Sequence, residues 1–168
     1  MSVKTVNDKL EQAYREERVA VYHTALTYLK DSAAAEDVMQ DVFLAYHTAL
    51  SGGEPVRHRR AWLLTVTRHR CLNKLRDGGR VEPMEEIPAV VEEDPAAAVE
   101  ERHTVETILA CLTREERLAF TLHHLDGYTY WAIARGLDCP VGTVQTRCRA
   151  ARRKVRNLLQ AMHREEVL

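Results

Sequence analysis

The chain has 168 residues, 45% of them hydrophobic, with 24 Lys and Arg against 25 Asp and Glu, which allows one domain or two small ones and leaves the mean charge near neutral. Seven Gly, five Pro and two Phe amid abundant Leu and Ala favour an all-α protein. There is no N-terminal apolar leader and no membrane-length apolar run, so membrane insertion is not expected and the reducing cytoplasm is.

The first periodic segment runs from about Asp8 to Lys30, where Leu10, Ala13, Tyr14, Val21, Ala25, Leu26 and Leu29 share a helical face between charged residues. Asp31 or Ser32 then caps a second helix reaching about Leu50, with Glu36 and Asp37 in early turns, where carboxylates suit the helix dipole. Val38 and Phe43, with Leu44 or Ala45, face inward. Glu36, Asp37, Gln40 and Asp41 form an acidic outer stripe, which taken alone is ordinary solvated surface. Residues 51–60 read as a loop because Gly52, Gly53 and Pro55 interrupt the period, and they end in the cluster Arg57, His58, Arg59, Arg60. The next helix, AWLLTVTRHRCLNKLR, buries Trp62, Leu63, Val66, Leu72 and Leu75 and leaves Arg68, Arg70, Lys74 and Arg76 for solvent or phosphate. An aromatic at such spacing is more often packing than a base-stacking platform.

The neutral mean hides a segregation of charge. Residues 57–80 hold eight Arg or Lys and one Asp, residues 81–101 hold eight Asp or Glu and no base, and residues 135–168 hold eight bases and three acids. Two basic blocks flank an acidic one, and either suits phosphate. Three prolines, a Gly pair and no sustained period make 77–102 a flexible acidic linker between a module at 1–76 and one at 103–168. Each module is small and the linker offers little packing, so a loose arrangement is expected.

The second module opens with a helix carrying Val105, Ile108, Leu109 and Leu112. Thr113 to Glu116 is a T-x-x-E capping box for a helix through Leu118, Leu122 and Leu125, ended by Asp126-Gly127. Thr129 caps a short helix with Ile133 and Leu137, which Gly136, Asp138 and Pro140 break. From Pro140 a longer helix carries the stripe Val144, Cys148, Ala151, Val155, Leu158 and Met162. Opposite lie Gln145, Thr146, Arg147, Arg149, Arg152, Arg153, Lys154 and Arg156, so that residues 147–156 hold six positive charges and no negative one. Short helix, tight turn and basic helix form the helix-turn-helix that places a recognition helix in the major groove; a solvated basic helix in a bundle is the bland alternative.

Cys71, Cys111, Cys139 and Cys148 lack CxxC or CxxC…HxxxH spacing and read as reduced thiols, so no metal or cofactor is expected. No Ser/His/Asp or Cys/His constellation marks an enzyme, and His123-His124 reads as helix surface.

Together these residues resemble the extracytoplasmic-function (ECF) sigma factors, the minimal two-domain class of bacterial RNA polymerase initiation factors. AEDVMQDVF at 35–43 is similar to the family's second-domain motif, AWLLTVTRHRCLNKLR to its promoter-melting helix, and the stretch from LTREERLAF through GYTYWAIARGLDCPVGTVQTRCRAARRKVRNLL to its fourth-domain signature. The resemblance implies that Asp37, Gln40, Asp41 and Phe43 dock on core RNA polymerase. It implies that Arg57, His58, Arg59, Arg60, Trp62 and His69 serve the minus-ten promoter element, and that Gln145, Thr146, Arg147, Arg149, Arg152 and Arg153 serve the minus-thirty-five element. It also implies a separate anti-sigma partner and no catalytic chemistry. The chain departs from the family pattern at His69 and Asn73, which replace the usual Asn and Asp, and at Gln145 and Ala150, which replace basic residues. The alternative function is a two-module helix-turn-helix regulator that does not dock on polymerase; the basic block at 57–80 argues against it, since a sensor module has no need of one.

Overall fold

A computed structural model describes residues 2–78 and 105–166. The described residues are helical throughout, without a strand: α1 (Val3–Leu29), α2 (Ser32–Ser51), α3 (Arg59–Gly78), α4 (residues 105–110), α5 (Arg114–Phe120), a π-helical turn (Thr121–Leu125), α6 (Tyr130–Gly136) and α7 (Val141–Glu166). None of these helices is long and apolar enough to cross a membrane. The expected linker falls mostly on residues 79–104, outside the described residues, while Asp77 and Gly78 belong to α3.

Local chemistry sets the boundaries. Lys30 adopts a left-handed conformation (φ 54°) and its N–H donates to the Leu26 carbonyl at 2.8 Å, closing α1. Of the two expected caps for α2, Asp31 serves, its carboxylate accepting from the Ala34 N–H at 2.7 Å. α3 begins at Arg59 rather than after Arg60. The His58 carbonyl accepts from the Trp62 N–H at 3.0 Å, and no Gly or Pro between them stops the helix from starting early. The capping box at Thr113 and Glu116 forms in both directions. Gly127 (φ 70°) ends the π-helical turn, and Thr129 caps α6 by accepting from the Ala132 N–H at 3.1 Å. Asp138 (φ 54°) turns the chain toward Pro140, whose carbonyl accepts from the Val144 N–H at 3.3 Å.

α1, α2 and α3 enclose one core built on Ala13, Val21, Ala25, Leu29, Val38, Val42, Phe43, Leu63 and Cys71. The second core holds Ala119, Leu122, Tyr128, Ile133, Ala134, Val144 and Cys148 from the second module, together with Ala20 of α1 and Leu64 of α3. The modules therefore share a core, which corrects the expectation of a loose arrangement. That expectation came from treating each module's apolar stripe as closed on itself. Leu64, fully buried, lies off the stripe that faces α1 and α2, and burying such a side chain is worth about 1.5–3 kcal/mol. Leu72, expected inside, is 40% exposed.

Candidate nucleic-acid interface

The helix-turn-helix stands as the sequence predicts. α6 packs its buried Ala132, Ile133 and Ala134 inward, and Val144, Cys148 and Ala151 seat α7 against the module. This leaves Gln145, Thr146, Arg149, Arg152, Arg153 and Arg156 exposed. Two basic residues of α7 are partly used within the module: Lys154 Nζ pairs with Glu116 Oε2 at 2.7 Å, and Arg147 is half-buried, its guanidinium 3.8 Å from Cys139 Sγ. Lys154 is thus not part of a free cationic face, because it ties α7 to α5.

On α2, Asp37, Gln40 and Asp41 are exposed in one stripe, with Lys74 of α3 3.8 Å from Asp37. Phe43 is not on that face. It is 6% exposed, and Tyr14 packs edge-on against it with ring centroids 5.0 Å apart, so it positions the stripe from behind. Its neighbour Leu44, 65% exposed, is the apolar residue available beside the acids.

Between α2 and α3 opens a pocket of about 390 Å³ lined by Asp41, Leu44, Ala45, Thr48, Ala49, Glu54, Trp62 and Arg70. Trp62 is half-buried, tilted against Tyr46 (5.6 Å between centroids), and forms part of the wall. An aromatic wall and a guanidinium around an open pocket suit a planar base. Arg57 and His69 are exposed nearby in sequence.

Of the other minus-ten candidates, His58 and Arg60 meet the second module, while Arg59 is held by α1 of its own module. The His58 ring meets Trp131 edge-on at 4.5 Å. Arg59 donates to Glu17 at 2.9 Å and pairs with Glu16; Arg60 Nε donates to Glu17 at 3.0 Å, its Nη1 to the Gly127 carbonyl at 2.9 Å, and its guanidinium lies 4.7 Å from the centre of the Tyr128 ring. Tyr128 completes the set, its hydroxyl donating to the other Glu17 oxygen at 2.6 Å. Arg68, expected to be free for phosphate, donates to the Gly136 carbonyl at 3.3 Å and lies 4.0 Å from Asp138.

Sequence reasoning missed this cluster. Glu17 is fully buried yet occupies the apolar stripe, four residues from both Ala13 and Val21, and a carboxylate at such a position signals a buried cationic partner. Burial and the nearby Glu17 push the Asp126 carboxyl up to about 6, while burial and the hydrogen bond to Glu17 raise Tyr128 well beyond the usual phenol range. All four cysteines are free thiols; burial pushes Cys71 up to about 12, which keeps it protonated and inert.

Known proteins share this architecture. Sigma-70 region 2 matches residues 13–81 and Sigma-70 region 4 matches residues 102–155. The ECF RNA polymerase sigma-E factor of Escherichia coli (strain K12) is 30% identical, over 79% of this chain and 78% of that protein, and the ECF sigma factor SigK of Mycobacterium tuberculosis (strain H37Rv) is 27% identical, over 87% and 83%. Among solved structures, CnrH in complex with the cytosolic domain of CnrY is similar with TM-score 0.63 at 25% identity, covering 92% of this chain and 90% of that one. The sigma factor RpoE bound to the anti-sigma factor NepR from Bartonella quintana shares the fold, with TM-score 0.65 at 22% identity over 90% and 97%. With both conserved regions matched in order and a relative at this identity across most of its length, the chain belongs to the ECF group of the sigma-70 family.

Proposed function

We propose how a chain that is an RNA polymerase sigma factor divides its work among these surfaces. The observation that carries the reading is the pairing of an exposed basic α7 face with a separate pocket walled by Trp62 and Arg70. α7 reads duplex DNA at the minus-thirty-five element: Gln145, Thr146, Arg147 and Arg149 meet base edges, and Arg152 and Arg153 meet phosphates. The α2–α3 pocket takes an extruded base of the minus-ten element, held by Trp62 and by phosphate contacts from Arg57, His58, Arg59, Arg60 and His69. Asp37, Gln40 and Asp41 dock on core polymerase, with Leu44 in place of the buried Phe43. The chain works by binding alone, in the cytoplasm. One similar solved structure holds the anti-sigma factor NepR and another the cytosolic domain of CnrY, which supports a separate anti-sigma partner here.

The recognition helix is tested by substitution. Arg152→Ala is expected to weaken binding to every duplex alike and to reduce the log-salt slope by about one, whereas Gln145→Ala and Arg149→Ala lose discrimination of about 1–3 kcal/mol at one or two base pairs. Fluorescence anisotropy on promoter and random duplexes over a salt series measures both. Identical behaviour of all three variants contradicts the assignment of α7.

A further inference from the structure

The α2–α3 pocket carries opposite charges that do not neutralise each other. Asp37 of α2 and Lys74 of α3 stand 3.8 Å apart, which sets the antiparallel register of the two helices. One turn nearer the loop, the same register places Asp41 across from Arg70, and both line the pocket. Among the described residues neither is drawn into an ion pair or a side-chain hydrogen bond, and neither is Glu54, which lines the pocket from the loop. Charges of both signs are thus left facing one open space.

The lining is rich in acceptors. Thr48 Oγ1 donates to the Leu44 carbonyl at 3.0 Å, so only its lone pairs remain for the pocket. Glu54 is anchored through its backbone, its N–H donating to the Ala49 carbonyl at 3.0 Å and its own carbonyl accepting from the Val56 N–H at 3.0 Å. Two carboxylates and a hydroxyl oxygen therefore oppose one guanidinium, beside the Trp62 wall and the apolar Ala45 and Ala49. Trp62 and Arg70 lie two turns apart on α3, about 12 Å at ~1.5 Å per residue, which leaves room for a planar ring between the Glu54 and Arg70 side chains. Carboxylates repel phosphate and accept from N–H groups, so the occupant is a neutral ring that brings donors. Adenine, cytosine and guanine each carry an exocyclic amino group beside an acceptor. Thymine carries a single N–H between two carbonyl oxygens, which would face the carboxylates.

We propose that this pocket selects an amino-bearing base and discriminates against thymine, with Glu54 accepting from the amino group and Arg70 donating to the acceptor beside it. The proposal rests on the extruded-base reading of the pocket and adds which bases it takes. Asp41 belongs to the docking stripe as well as to the pocket wall, so Glu54 and Arg70 carry the test.

The test is run-off transcription by the full chain with core polymerase, on a promoter it selects whose minus-ten element has been randomised, with the transcripts sequenced. The wild type is expected to show one minus-ten position at which thymine is depleted about 5- to 150-fold relative to the best amino-bearing base. Glu54→Gln, whose amide can also donate to a thymine oxygen, should remove most of that depletion. Arg70→Gln should weaken the preference at the same position and leave the other positions as they were. Both side chains are exposed and outside the core, so circular dichroism should show wild-type helicity, and either variant decides without the other. A structural defect lowers output from every sequence alike and shifts no preference. Thymine favoured, or accepted equally, at the position these variants shift overturns the selection and leaves the pocket as a base site. No shift at any minus-ten position, including a uniform loss of output, removes the pocket from base recognition and the selection with it.

Discussion

Glu17→Ala is expected to cost about 2–3 kcal/mol of stability, the largest loss from any single polar truncation among the described residues. The side chain is fully buried and accepts from Arg59, Arg60 and Tyr128, so its removal leaves two cations and a phenol without their common acceptor. Arg59 and Arg60 keep 26% and 40% side-chain exposure, which holds the loss below that of a fully dry pair. Thermal unfolding followed by circular dichroism measures it, and Glu17→Gln, which keeps shape and one acceptor, is expected to lose less. Asp126→Asn has the opposite sign. With its pKa raised from 3.8 to about 6, the native Asp126 carboxyl opposes folding once ionised; the contribution is absent below about pH 4 and fully unfavourable above about 6. The Asn variant should therefore be the more stable at pH 7, with the difference vanishing near pH 4.

The second large effect concerns polymerase. Asp37→Lys with Asp41→Lys is expected to weaken binding to core polymerase about 100-fold, or about 2.7 kcal/mol, by placing repulsive charge on the docking stripe. Both acids are exposed and the Asp37–Lys74 pair is long, so the melting temperature should change little. Pull-down or surface plasmon resonance against core enzyme checks the first part. Undiminished affinity in a folded variant would remove α2 from the docking surface.

Much of this architecture was legible in sequence because it is written locally. Thr113 with Glu116, Thr129, and the turn residues Asp138 and Pro140 act on their own neighbours, so spacing alone locates α5, α6 and the start of α7. The recognition face followed from the same logic, since Val144, Cys148 and Ala151 leave one side of α7 to solvent. What stayed hidden involves residues far apart in the chain. Leu64 had no place on the stripe read for α3, and Arg60 and Arg68 looked free, because their partners Ile133, Tyr128, Gly127 and Gly136 lie more than sixty residues away. For Phe43 the residue pattern and the resemblance pointed different ways, and its burial agrees with the inward reading of the pattern. It sits inside a motif whose resemblance implies docking, yet its helical position, one residue from Val42 and three from Tyr46, turns it into the core.

The central claim is that this chain gives polymerase the ability to select a start site through α7 and the α2–α3 pocket. Run-off transcription with purified core enzyme, on a promoter selected by sequencing the transcripts the chain induces, measures it directly. Discrete transcripts should appear with the wild type, disappear when Arg149 and Arg152 are both replaced by Ala, and disappear again for the Asp37 and Asp41 reversal. Wild-type chain that binds the promoter duplex but leaves core enzyme without a defined start would contradict the account.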